Sequence, residues 1–153
     1  VVASRVILRT LDDTHAYGAK LANVLRAGDL VVLSGPLGAG KTALVQGIGV
    51  GLGVRGPVVS PTFVIARVHR GGRLPLVHVD AYRLRSLDEV DDLDLDVDLA
   101  DSVLAVEWGT GLVEQLAEAR LEIAVERAAD SEERTLTLHP NGGDWPDRVV
   151  ALS

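Results

Sequence analysis

One segment limits what this chain can fold into more than any other. Gly35-Pro36-Leu37-Gly38-Ala39-Gly40-Lys41-Thr42 fits G-x-x-x-x-G-K-[ST] without a gap. The pattern carries meaning only between an incoming strand and an outgoing helix. Leu30 to Leu33, just before it, is a short, branched apolar run of the kind a strand buried on both faces needs. After it, Leu44, Val45, Ile48 and Leu52 recur at helical spacing. The glycines allow turns closed to other residues. Successive backbone N–H groups then face an oxyanion, and the helix adds the positive end of its dipole. In such a loop Lys41 reaches the β- and γ-phosphates, and the Thr42 hydroxyl ligates Mg2+. The segment therefore predicts a phosphate loop for a nucleoside triphosphate.

The rest of the chain reads as alternating strands and helices. Val6 to Leu8 predicts an edge strand. Thr10 and Asp13 form a T-x-x-D helix start, and Tyr17, Leu21, Val24 and Leu25 follow at helical spacing up to a break at Gly28 and Asp29. Gly47, Gly49 and Gly51 each cost about 1 kcal/mol relative to alanine inside a helix. That helix is expected either to fray in its last turns or to pack closely on the sheet. Val64 to His69 and Leu74 to Val79 predict two strands joined by Arg70-Gly71-Gly72. Ser86 and Glu89 form a capping pattern for a short helix, Val103 to Val106 predict a buried strand, and Leu112, Val113 and Leu116 predict another helix. Leu121, Ile123 and Val125 alternate, as do Leu136 and Leu138, which predicts two strands at the end of the sheet. The tail from 141 to 153 shows no clear pattern. The expected fold is one α/β domain over 1–153: a three-layer phosphate-loop sandwich, its mixed sheet having a parallel core and antiparallel additions.

Two predicted strands end in acids. Leu76 to Val79 run into Asp80, and Val103 to Val106 run into Glu107. Ligands of open α/β sheets bind beyond the carboxyl ends of the strands, so both acids are expected beside the phosphates. One would serve the Mg2+ shell and the other would orient the attacking water; the sequence does not say which. Thr62, in Ser60-Pro61-Thr62, has the character of a threonine that senses the γ-phosphate and metal, although an ordinary turn threonine gives the same pattern. Asp92, Asp94 and Asp96 suggest a calcium loop, but Val97 stands where such a loop needs glycine, so a solvated acidic face is the better reading. His78 alternates within its strand and is expected to be packed.

Composition removes several alternatives. With 153 residues, 47% of them hydrophobic, the chain has material for one core. There are no cysteines, hence no disulfide framework or thiolate chemistry. No run of eighteen apolar residues predicts a membrane span, and the first residues lack the pattern of a signal peptide. Methionine is absent even at position 1, so the initiator is expected to be missing. A formal net charge of -7 and no visible basic stripe argue against a direct grip on nucleic acid.

Taken together, GPLGAGKT at 35–42, SPTF at 60–63, HVDAYRL at 78–84 and VEWG at 106–109 resemble the TsaE (YjeE) family of bacterial phosphate-loop ATPases, from Thr10 to about Leu138. The resemblance implies a cytoplasmic, weak, partner-stimulated ATPase needed to make threonylcarbamoyladenosine on tRNA. It implies ATP held by Pro36, Leu37, Gly38, Ala39, Gly40, Lys41 and Thr42. Mg2+ would be held by Thr42 and Glu107, with Asp80 as the Walker B acid and Thr62 as the switch threonine. Trp108 would lie beside the active site, and Leu11 and Arg134 would lie near the base. TsaD and TsaB would be the partners, with tRNA met only through them. The stretch from Asp94 to Asp98 is more acidic than the family's usual pattern. Two rivals remain: a nucleotide-gated scaffold with negligible turnover, and a small-molecule kinase, for which no lid insertion is visible. A GTPase is disfavoured, because N-K-x-D is absent.

Overall fold

The computed structural model describes residues 4–36, 39–58, 66–80, 99–107 and 119–152. Strand β1 (Ser4–Leu8) leads into helix α1 (Leu11–Ala22), then β2 (Leu30–Ser34) and α2 (Lys41–Leu52). β3 (Ala66–His69), β4 (Leu76–Asp80), β5 (Val103–Glu107), β6 (Arg120–Arg127), β7 (Arg134–Asn141) and a short C-terminal helix α3 (Trp145–Val150) follow. The predicted helices near Ser86 and Leu112 and the acidic stretch lie outside the described residues.

The seven strands form one sheet in the order β1-β7-β6-β2-β5-β4-β3. β6, β2, β5 and β4 are mutually parallel neighbours. β7 and β3 run antiparallel to that block, and β1 closes one edge by pairing with β7. The β6–β7 hairpin therefore does not end the sheet. Alternation showed that both strands expose one face more than the other, but not that β1 returns to cover the outer side of β7.

Alternation sets the layers. Val31, Leu33, Ala105 and Ile123 face one core with Leu21 of α1 and Leu44, Val45 and Ile48 of α2. Leu30, Val32, Val77, Val79, Leu104 and Val106 point to the opposite side and are buried as well. Both faces of the parallel block are thus covered, which is the three-layer arrangement. Burying each valine, leucine or isoleucine among them contributes roughly 1.5 to 3 kcal/mol.

α1 starts as its sequence predicts: the Thr10 hydroxyl accepts from Asp13 N at 3.1 Å. It stops earlier than periodicity predicts. Val24 and Leu25 lie past its end, and Arg73 ties the terminal carbonyls of Ala22 and Leu25 at 2.7 and 3.0 Å. α2 remains helical to Leu52 despite its glycines. A Cβ on Gly47 would strike the His15 carbonyl, and one on Gly51 would lie 2.6 Å from the Ala19 carbonyl. These two glycines therefore bring α2 against α1; a Cβ on Gly49 would instead strike the Val58 side chain, with Val54 and the sheet residue Leu76 farther off.

The tail acquires order through packing. Trp145, Val149 and Leu152 join the core, and Arg148 lies over the Trp145 ring at 4.0 Å while bonding Asp29 at 2.5 and 3.1 Å.

Candidate nucleotide site

The carboxyl ends of β1, β2, β4, β5 and β6 share one edge of the sheet, because these strands point the same way. The phosphate loop leaves β2 at that edge, between its neighbours β5 and β6. Gly40 closes the loop as the residue before α2, with φ +108°, a value that favours glycine. It offers no capping side chain, so the first-turn amides of a 12-residue helix are left uncapped from that position.

Lys41 is only 4% exposed. Its Nζ donates to the carbonyls of Gly35 and Pro36 at 2.5 and 3.2 Å. Burial lowers its pKa below the ordinary lysine value, and the negative charges of Glu107 and Asp80 oppose that shift. The lysine thus sits in the field of both strand-end acids. β4 and β5 place those acids at one register position, Asp80 opposite Glu107. Thr42 Oγ1 lies 3.5 Å from Glu107 Oε1. A hydroxyl and a carboxylate are the hard oxygen donors that Mg2+ prefers, so the residues present fit that ion. Among the described residues no group of three or more His, Asp or Glu side chains is arranged to hold a metal ion by itself.

Arg134 begins β7 at the same edge, opposite Leu8 of β1. Its Nε is 2.5 Å from where a Cβ on Gly40 would stand. The side chain is buried, and Nε has no hydrogen-bond partner among the described residues. Nη1 reaches the carbonyls of Ser131 and Glu133 at 3.3 and 3.4 Å. Burial, then the charge of Arg127, pushes its pKa below the usual arginine value. A buried cation whose Nε has no acceptor among the described residues, beside a phosphate loop, suits an anionic ligand. Leu11 opens α1 two residues after Arg9 and is exposed. Pro36, Ala39, Gly40, Lys41, Thr42, Asp80, Glu107, Leu11 and Arg134 are therefore gathered along one sheet edge. Leu37, Gly38, Thr62 and Trp108 lie outside the described residues.

Sequence reasoning gave His78 only a packing role. It is fully buried, but its Nε2 lies 2.5 Å from Glu107 Oε2. The available signal was its place two residues before Asp80, hence on the same strand face. That it meets Glu107 depends on β4 and β5 being parallel neighbours.

A family model described as "Threonylcarbamoyl adenosine biosynthesis protein TsaE" matches residues 8–136. The chain belongs to the TsaE family. The tRNA threonylcarbamoyladenosine biosynthesis protein TsaE of Streptomyces coelicolor is 60% identical over 141 residues, covering 88% of this chain and 95% of that protein. The Bacillus subtilis protein of the same name is 42% identical over 143 residues, covering 93% and 89%. The crystal structure of Bacillus subtilis YdiB matches with a TM-score of 0.79 and 33% identity, covering 99% of this chain and 96% of that one. The sheet of this TsaE-family chain, with its phosphate loop after β2, is thus the P-loop NTPase fold.

Proposed function

We propose that this chain binds ATP with Mg2+ and hydrolyses it weakly, in support of a TsaD–TsaB assembly that makes threonylcarbamoyladenosine on tRNA. The observation that carries the reading is the convergence of Lys41, Thr42 and Glu107: Lys41 lies in the field of Glu107, whose Oε1 is 3.5 Å from Thr42 Oγ1. The names of the Streptomyces and Bacillus relatives supply the pathway.

The chain's residues divide the work as follows. The first-turn amides of α2 and the Lys41 ammonium hold the phosphates. Thr42 and Glu107 hold Mg2+, which when bound neutralises charge on the β- and γ-oxygens. Asp80, level with Glu107 on the next strand, orients the attacking water and adds to the metal's outer shell. Thr62, in the segment that precedes β3 in sequence, senses the γ-phosphate, Trp108 is next in sequence to Glu107, and Leu11 and Arg134 receive the nucleotide from the β1–β7 side. A net charge of -7 leaves the tRNA to the partners. No helix among the described residues is long and apolar enough to cross a membrane, in keeping with a cytoplasmic role.

The test is ATP turnover by the chain alone and with TsaD, TsaB and tRNA, for wild type and Glu107→Ala. The expected result is slow basal turnover, stimulation by partners, and at least about a hundredfold loss of stimulated turnover in Glu107→Ala. Tight binding without turnover under every condition would replace the ATPase with a nucleotide-gated scaffold.

A further inference from the structure

We infer that His78 is a positioning residue for Glu107, fixing one carboxylate oxygen so that the other is held ready for the Thr42 side of the site. The inference rests on the Mg2+–ATP reading above and goes one layer deeper into the protein.

The two oxygens of Glu107 have separate surroundings. Oε2 meets His78 Nε2 at 2.5 Å, and Oε1 meets Thr42 Oγ1 at 3.5 Å. A glutamate side chain has up to about 2 kcal/mol of rotamer entropy to lose on being ordered. A hydrogen bond to a buried neighbour removes that freedom before any ligand arrives. The neighbour is itself rigid: His78 lies in the middle of β4, with 0% exposure, paired through its backbone with Ala105 of β5 and Arg67 of β3.

Hydrogen-bond economy also assigns the tautomer. His78 Nδ1 is buried and has no partner among the described residues. A proton there would be a buried, unsatisfied donor, whereas a lone pair there costs less. The proton therefore resides on Nε2 and is donated to the carboxylate. Leucine or another apolar residue would fill this buried position without burying an imidazole. What the histidine adds is that one donated bond. Carboxylates that hold metals are commonly fixed by such outer partners, whose loss lowers metal affinity by about 10- to 100-fold.

The experiment compares the full-length wild type with His78→Leu and His78→Gln. Fluorescent ATP-analogue affinity is measured in EDTA, and Mg2+ affinity is measured at saturating analogue. Thermal unfolding monitors the fold. His78→Leu should lose about 10- to 100-fold in Mg2+ affinity while its affinity for the nucleotide in EDTA stays within about twofold of wild type. His78→Gln, whose amide can donate to Oε2, should recover most of the loss. Unchanged Mg2+ affinity in His78→Leu would overturn the inference. So would an equal fall in EDTA affinity, because that is what a merely structural histidine gives. Should His78→Leu fail to fold, His78→Gln decides alone: wild-type Mg2+ affinity supports the role, and a tenfold loss in a folded protein rejects it. A wild type indifferent to Mg2+ would instead overturn the Mg2+–ATP reading, and this inference with it.

Discussion

Gly40 shows how much a single position can decide. Its φ of +108° suits glycine, and a Cβ there would meet Arg134 Nε at 2.5 Å. Gly40→Ala should cost about 1 to 2 kcal/mol from the backbone alone. It should also displace the arginine, weakening ATP binding by at least about tenfold; titration of the variant with a fluorescent analogue checks this. The sequence made Gly40, Lys41 and Thr42 legible because their task depends on spacing along one turn. Asp80 and Glu107 were legible as strand ends. Their division of labour was not, and the contacts of Glu107 with Thr42 and His78 lie on other elements. Histidines give little sequence signal when their partner sits 29 residues away on a neighbouring strand.

Among the elements, α2 departs most from local propensity. Three glycines in its second half should weaken it, yet it stays helical to Leu52 because Gly47 and Gly51 let the α1 and α2 backbones approach. Gly47→Ala tests the balance. Alanine gains about 1 kcal/mol in helix propensity, while overpacking against the His15 carbonyl costs about 1 to 3 kcal/mol. Net destabilisation of about 1 kcal/mol is expected by urea unfolding; a more stable variant would show that the helices can part freely. The ends of α1 make the same point from both sides. Thr10 caps its start through a local bond that the sequence displays. Its stop is set by Arg73, which donates to carbonyls about fifty residues earlier, so periodicity alone ran the helix too far.

Across the whole molecule, the C-terminal segment is held to the back of α1 by charge as well as by core packing. Arg148 bonds Asp29, Asp144 and the Val24 carbonyl, and Lys20 bonds the Leu152 carbonyl at 2.7 Å. Arg148→Met should cost about 3 kcal/mol in urea unfolding, because Asp29 would be left desolvated without its cation. The site lies at the opposite end of the parallel strands from Asp29, which precedes β2, so the same variant should keep wild-type ATP affinity; a matching loss of affinity would show the two ends to be coupled. By itself the sequence determined the phosphate loop, the buried central strands, the acids at their ends and the family, since each is written in contiguous residues or in their order. Tertiary structure alone decided that β1 closes the sheet beside β7, that the tail packs as a helix, and that His78 meets Glu107. Those outcomes depend on which surfaces are buried against one another, and burial is a property of the assembled chain that no local window of residues contains.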